Sequence, residues 1–181
     1  MRKEKIQETI VAPQGVAVTV ESGLVTVKGP KGTVTRDLSH PKITVTLVSN
    51  GIEFSVARPG KLMKMMFYTL VAHAKNMVEG VTKGFVYKLK VCYVHFPMTV
   101  KVEGNAVVIS NFLGEKIPRK AKILSGVTVK ASADIITVEG FDITLVSQTA
   151  ANIELATFIN RRDRRRFQDG CYITEKAGVP V

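Results

Sequence analysis

Cysteine and histidine are scarce in this sequence of 181 residues, and this scarcity limits the chemistry that the chain can carry. The two cysteines, Cys92 and Cys171, lie far apart and form no C-x-x-C pair, and the three histidines, His40, His73 and His95, are scattered. Such spacing is typical of neither a disulfide framework nor a zinc site. It favours a protein of a reducing, intracellular compartment.

Long apolar runs are missing as well. No stretch approaches the roughly 18–20 consecutive apolar residues that a membrane-spanning helix needs. The basic residues 1–5 lead into the polar residues 7–9 instead of the apolar core of a signal peptide. The sequence therefore predicts a protein that is neither exported nor inserted in a membrane.

The sequence also lacks the motifs of enzymes. No D-x-D, H-x-x-x-H or H-E-x-x-H pattern would hold a metal ion, and no G-x-S-x-G elbow would present a nucleophile. His73 falls on the apolar stripe of a predicted helix, where a packed side chain is the favoured interpretation. We therefore expect no catalytic, cofactor-binding or metal-binding residues, no cofactor and no small-molecule substrate.

Positive charge is what the sequence has in excess. It carries 26 Lys and Arg against 15 Asp and Glu, a formal net charge of +11. Such a charge attracts a polyanion, so nucleic acid is the leading candidate for a partner and an anionic membrane surface is the second. Only 7% of the residues are aromatic, none is tryptophan, and no RRM signature is present. We therefore expect binding through phosphates and RNA shape rather than through base stacking.

The chain repeats its own pattern at a shift of 82 to 84 residues. Residues 18–21 align with 100–103, and residues 43–45 align with 127–129. Each half consists of alternating strand patterns followed by one helical pattern. This order predicts an α+β fold of two tandem, duplicated small domains, each an antiparallel-rich sheet covered by one main helix.

The predicted domains are residues 1–84 and 85–181. In the first, Asn50-Gly51 predicts a hairpin between two strands. Gly29-Pro30-Lys31-Gly32-Thr33 lacks the spacing and the following helix of a phosphate-binding loop, and a KH loop would join helices rather than strands. A tight hairpin turn is favoured there, with Lys28 and Lys31 within reach of a phosphate.

Two helices and one long strand have clear apolar faces. The first helix is expected to end at Gly80, and the second to begin with Asp142 as its N-cap. The apolar positions of the first helix are Leu62, Met66, Leu70, His73 and Met77, and those of the second are Ile143, Val146, Ala150, Ile153 and Thr157. The core face of the strand that opens the second half is formed by Phe85, Tyr87, Leu89, Val91 and Tyr93.

Two basic clusters in the second half are the candidate site. The first cluster contains Lys116, Arg119, Lys120 and Lys122, and the second cluster contains Arg161, Arg162, Arg164, Arg165 and Arg166. Arginine grips phosphate with two bonds and stacks on bases, so the second cluster indicates contact with nucleic acid. The alternative is a solvated helix end whose cations favour the helix dipole.

Four segments carry a more specific signal. They are Asn76-Met77-Val78-Glu79-Gly80-Val81-Thr82-Lys83-Gly84-Phe85, Asn111-Phe112-Leu113-Gly114-Glu115-Lys116, Gln148-Thr149-Ala150-Ala151 and Arg165-Arg166-Phe167-Gln168-Asp169-Gly170-Cys171-Tyr172-Ile173. Together they closely resemble the archaeal form of the large-subunit ribosomal protein six family, whose eukaryotic relative is numbered nine. The chain departs from the family pattern at Cys171, usually aliphatic, and at Leu155, often Gln.

The resemblance implies a cytoplasmic protein of the ribosome that binds large-subunit rRNA near the base of the lateral stalk and the sarcin–ricin region. Its partners would be that rRNA and the neighbouring ribosomal proteins at the stalk base, and the second domain would make most of the contacts. The implied contact residues are Lys116, Arg119, Lys120, Arg162, Arg165 and Lys176. Two alternatives are an enzyme or accessory factor acting on RNA and a free-standing regulatory RNA-binding module.

Overall fold

The computed structural model describes residues 5–48, 51–160 and 162–181. The chain divides into two compact units, Met1–Gly84 and Phe85–Val181. Each unit contains antiparallel sheets and one main helix, so the predicted fold of two duplicated α+β domains is confirmed.

The first unit contains two antiparallel three-stranded sheets. One has the order β1-β6-β5 and the other β2-β3-β4. The strand bounds are β1 Lys5–Val11, β2 Ala17–Glu21, β3 Leu24–Gly29, β4 Gly32–Asp37, β5 Thr44–Val48 and β6 Gly51–Ala57. The predicted pairing of β5 with β6 is confirmed, and Asn50 of the connecting turn lies outside the described residues.

Helix α1, Lys61–Thr82, covers these sheets with a different face from the predicted one. Its core positions are Phe67, Val71, Ala74, Met77 and Val81, whereas Leu62 of the predicted stripe is 70% exposed. The helix has apolar side chains on several faces, so periodicity alone does not show which face meets the sheets. The predicted stripe was wrong except near the C-terminal end of α1.

The end of α1 also differs from the prediction. Gly80 lies buried inside the helix, which ends one turn later at the C-cap Lys83. Gly84 takes a φ of +75°, the left-handed conformation that glycine adopts without strain after a helix end. The predicted cap was wrong because a second glycine four residues further on takes that role.

The second unit has a five-stranded antiparallel sheet of order β11-β12-β7-β13-β14 and a three-stranded one of order β10-β9-β8. The strand bounds are β7 Phe85–Cys92, β8 Thr99–Glu103, β9 Ala106–Ser110, β10 Arg119–Lys122, β11 Val127–Ala131, β12 Ile135–Gly140, β13 Gly170–Lys176 and β14 Val179–Pro180. A 3₁₀ turn spans Phe112–Gly114, and helix α2 spans Ile143–Ala156.

The predicted start and apolar face of α2 are confirmed. The Asp142 carboxylate accepts a hydrogen bond of 2.8 Å from the Thr144 N–H. The buried residues Val146, Ala150 and Ile153 pack into the core of the unit. This packing fixes the C-terminal end of α2, from which the chain enters the arginine-rich segment.

One prediction for strand β7 was wrong. Tyr87 is buried as expected, but Tyr93 is 47% exposed. β7 ends at Cys92, so Tyr93 leaves the alternation that holds Leu89 and Val91 in the core.

Candidate nucleic-acid interface

The arginine-rich segment of the second cluster leaves the end of α2 as an irregular, exposed stretch. Arg161 lies outside the described residues, and the other four arginines are exposed: Arg162, Arg164, Arg165 and Arg166. The Arg162 guanidinium carbon lies 4.9 Å from the ring centroid of Phe167, and that of Arg164 lies 5.0 Å from the ring of Phe158. Stacking on aromatic faces orients both heads while leaving them exposed to solvent.

Arg165 is held by its neighbour in the segment. Its Nη2 lies 2.8 Å from Oδ2 of Asp163, and its backbone N–H donates to Oδ1 of the same carboxylate. The side-chain hydrogen bond from Arg165 is the main reason why the pKa of Asp163 lies below its ordinary value. Both groups are solvent-exposed, so this pair orients the segment more than it stabilises the fold.

The helix-dipole interpretation of these arginines fits the structure poorly. α2 ends at Ala156, and none of the residues in its last turn, all of which the structure describes, is basic. The dipole acts within about one turn of a helix end. Arg162 lies six positions beyond that end, which favours a role for the arginines outside the helix.

Arg119 contacts the C-terminal end of α2 directly. Its Nη1 donates hydrogen bonds of 3.0 Å to the backbone oxygens of Ala156 and Phe158. Its Nε and Nη2 donate to the Glu115 carboxylate at 2.9 and 2.6 Å, and its head lies 4.3 Å from the ring centroid of buried Phe112. Arg119 therefore clamps the 3₁₀ turn to the helix end, a role that its place in a basic cluster did not reveal.

The lysines of the first cluster differ from Arg119 in exposure. On β10, Ala121 faces the core while Lys120 and Lys122 face solvent. Lys116 precedes the strand and is exposed, as is Lys176 on β13. The predicted RNA contact of these lysines stays a prediction, and the structure leaves all four accessible.

The two clusters come together around Phe158. Its backbone oxygen accepts from Arg119 of the first cluster, and Arg164 of the second cluster lies over its ring. The pKa of Glu115 is lowered mainly by the hydrogen bond from Arg119 and also by the charge of Arg162. The fold thus brings Arg119 near Arg162 and Arg164, which lie more than 40 positions further along the chain, and forms a positive surface around Phe158.

A buried carboxylate that the sequence did not single out supports this surface. Asp169 is 2% exposed, and its Oδ1 accepts hydrogen bonds from the backbone N–H groups of Val94 at 2.5 Å and His95 at 3.1 Å. Its Oδ2 lies 2.6 Å from His95 Nδ1. The His95 ring stacks on Phe167, with centroids 4.7 Å apart, and the Arg162 guanidinium lies over the Phe167 ring. Asp169 thereby fixes the position of an arginine in the second cluster.

Asp169 should make stability depend on pH. Burial alone would raise its pKa, but the hydrogen bonds from Val94 and His95 bring the pKa below its ordinary value. A carboxyl whose pKa falls on folding stabilises the native state above its unfolded pKa of about 3.9, and loses that contribution as pH falls through the folded pKa. We expect Asp169→Asn to lower the free energy of unfolding by roughly 1–3 kcal/mol at neutral pH.

The difference between the wild type and Asp169→Asn should shrink below about pH 4, because the carboxyl takes up a proton first in the unfolded state and, at still lower pH, in the folded state as well. Urea unfolding at several pH values measures it, with Glu103→Gln as the control at an exposed carboxylate. A difference that stays constant from pH 7 to pH 3 would contradict this assignment.

A lysine of the first unit also meets a helix end. The Lys31 N–H donates to the Val81 oxygen at 3.1 Å, and its Nζ donates to the Lys83 oxygen. Segment 29–32 is the predicted tight turn between β3 and β4, packed on the end of α1. Lys31 thus has a structural partner, as Arg119 has in the second unit.

The described part of the chain contains neither a group of side chains suited to a metal ion nor a helix suited to cross a membrane. In the described ranges 5–48, 51–160 and 162–181, no group of three or more His, Cys, Asp or Glu side chains could hold a metal ion. Over the same ranges, no helix is long and apolar enough to cross a membrane.

Comparison with known proteins gives a consistent result. The model of the family described as ribosomal protein L6 matches residues 12–84 and again residues 96–170. The large ribosomal subunit protein uL6 of Methanospirillum hungatei is 46% identical over 95% of this chain and 98% of its own length. The proteins of the same name from Sulfurisphaera tokodaii and Saccharolobus solfataricus are 48% and 45% identical, over 97% and 94% of this chain and 95% of their own lengths.

Proposed function

The chain belongs to the ribosomal protein L6 family, and on this basis we propose that it binds folded rRNA of the large ribosomal subunit near the base of the lateral stalk and the sarcin–ricin region. The family resemblance predicted from four sequence segments is thereby confirmed. The protein is a structural constituent of the ribosome in the cytoplasm and not an enzyme.

The positive surface around Phe158 is the observation that supports RNA binding. Its arginine heads are oriented by aromatic rings or a carboxylate, and exposed lysines lie in the same unit. Oriented arginines suit the fixed phosphate positions of a folded RNA, because little side-chain entropy is lost on contact. The proposed contacts are Lys116, Lys120, Lys122, Arg161, Arg162, Arg164, Arg165, Arg166 and Lys176, with Arg119 positioning the turn between them.

Crosslinking tests both the surface and its place on the ribosome. Ultraviolet irradiation of intact ribosomes, followed by sequencing of the RNA and mass spectrometry of the peptides, identifies the contacts. We expect crosslinked peptides from residues 116–122 and 162–176, joined to large-subunit rRNA of the stalk base and the sarcin–ricin region. Crosslinks found only in β1–β6 would show that the second unit is not the binding surface.

A free-standing regulatory RNA-binding module is the second candidate. Such a module would bind RNA outside ribosomal particles. The full-length similarity to proteins named as components of the large ribosomal subunit favours the ribosomal role.

The second unit should retain most of the RNA affinity when it is produced alone. The two halves of the chain have nearly equal net charge, but both basic clusters lie in the second. The fragment Phe85–Val181 has its own hydrophobic core, so we expect it to fold. Filter binding to large-subunit rRNA compares it with the fragment Met1–Gly84, which serves as the charge-matched control. Equal affinity of the two fragments would show that total charge, and not its pattern, drives binding.

A further inference from the structure

A recess lies on the second unit beside the arginine-rich segment. Its volume is about 640 Å³, within the range of about 300–1,000 Å³ that is usual for small-ligand sites. The lining includes Lys90, Tyr93, Val94, Asp134, Gln168 and Tyr172. None of the predicted RNA contacts lines it, so the basic clusters alone do not explain it.

The recess has an aromatic and apolar rim that is exposed to solvent. Tyr93 is 47% and Val94 74% exposed, and Tyr172 contributes a second ring to the lining. Aromatic side chains in such positions are platforms on which unpaired RNA bases stack. In a chain with few aromatic residues, two tyrosines around one recess form a distinct feature of the surface.

The wall of the recess is fixed before any ligand arrives. Asp169 holds the backbone of Val94 and His95 from inside the unit. The Val91 N–H donates to the backbone oxygen of Asp134 at 2.8 Å. In the sheet, Lys90 of β7 lies opposite Ile135 of β12 on one side and opposite Tyr172 of β13 on the other. A recess formed in advance costs little ordering when a ligand enters.

The charges around the recess favour RNA as the source of that ligand. Gln168 lines the recess, and its Nε2 donates to the backbone oxygen of Arg165 at 3.3 Å. Arg164 lies close enough for its charge to act on the pKa of Tyr172, which burial raises. A strand whose phosphates lie on the arginines would thus pass along the edge of the recess.

Two polar groups in the lining can read the edge of a base. The Asp134 carboxylate accepts hydrogen bonds, and the Gln168 amide can both donate and accept. A carboxylate accepts from the exocyclic amino groups of cytosine, adenine and guanine, whereas uracil has no amino group to offer it.

We propose that this recess receives one unstacked, amino-bearing base of the RNA that the arginine-rich segment holds. The inference rests on the proposed rRNA binding and adds base stacking to a surface that otherwise contacts phosphates. A side chain of a neighbouring ribosomal protein is the competing occupant, but the adjoining arginines and Lys90 favour a polyanion.

The variant Tyr93→Ala in the full-length chain tests the recess, with large-subunit rRNA as the probe. Stacking of one base on an aromatic ring contributes about 1–3 kcal/mol, so affinity should fall about 5- to 150-fold. The slope of log affinity against log salt should stay unchanged, because no phosphate contact is lost. Tyr93→Phe keeps the ring and should bind like the wild type.

The binding results separate the base-binding recess from the proposed rRNA binding itself. Wild-type affinity of Tyr93→Ala, with an unchanged melting temperature, would overturn the base-binding recess while leaving rRNA binding intact. Failure of the wild type itself to bind rRNA would remove both proposals.

Ultraviolet crosslinking of intact ribosomes identifies the occupant of the recess. A peptide containing Tyr93 should carry a nucleotide. A crosslink from this peptide to a neighbouring protein instead would show that a protein side chain, and not an RNA base, occupies the recess.

Discussion

Replacing both Arg162 and Arg165 by alanine is expected to weaken rRNA binding while leaving the fold intact. Each phosphate contact releases about one counterion, so the loss of two should flatten the plot of log affinity against log salt by roughly 1.5–2 units. At 0.1 M salt this amounts to about a 30- to 100-fold loss of affinity. Loss of the Arg162–Phe167 stack should cost only about 0.5–1 kcal/mol of stability.

A matched control separates charge pattern from charge total. Lys42→Ala with Lys101→Ala removes two exposed cations that lie outside both clusters. Filter binding to large-subunit rRNA at several salt concentrations should give this control a slope close to that of the wild type. If both double variants lose the same slope, the arginine-rich segment has no special part in binding.

Removal of the Arg119 donors should have the opposite signature, with lower stability and unchanged salt dependence. Arg119→Met keeps the apolar stem but leaves the Ala156 and Phe158 oxygens without this donor. Hydrogen bonds to charged groups contribute about 1.5–3 kcal/mol, so we expect a loss of about 2–3 kcal/mol. For a unit of this size the melting temperature should fall by roughly 8–24 °C.

The neighbouring exposed cation supplies the control for Arg119. Lys120→Met removes the same charge from β10 and should change stability by less than about 0.5 kcal/mol, while it reduces the salt slope by about 0.9. Circular dichroism and filter binding on both variants measure the two effects. A stable Arg119→Met variant with a reduced salt slope would show that Arg119 contacts RNA and does not clamp the 3₁₀ turn to the helix end.

The sequence predicted the features that depend on local pattern. The duplication, the N-cap Asp142 and the apolar face of α2 follow from residue types at fixed spacing, and the structure has each of them. The face of α1 could not be predicted in the same way, because Leu62 and Phe67 belong to different apolar stripes of one helix. Only packing against the sheets selects between such stripes.

The parts of the candidate site that the sequence did not predict depend on contacts between distant residues. Arg119 looks like any other member of a basic cluster until the end of α2 lies beside it. Asp169 precedes Gly170, a combination that is typical of a turn, and its hydrogen-bond partners Val94 and His95 are 75 and 74 positions away. In the sequence, Tyr93 continues the alternating pattern of β7, but the strand ends at Cys92, one residue before it.

Sedimentation of cell lysate through a high-salt gradient tests whether this chain is a stable part of the large ribosomal subunit. High salt weakens loose electrostatic association and leaves integral components in place. We expect the full-length chain to sediment with the large subunit and with its rRNA. Recovery of the chain among free proteins at the top of the gradient, with large subunits intact below, would contradict the ribosomal role.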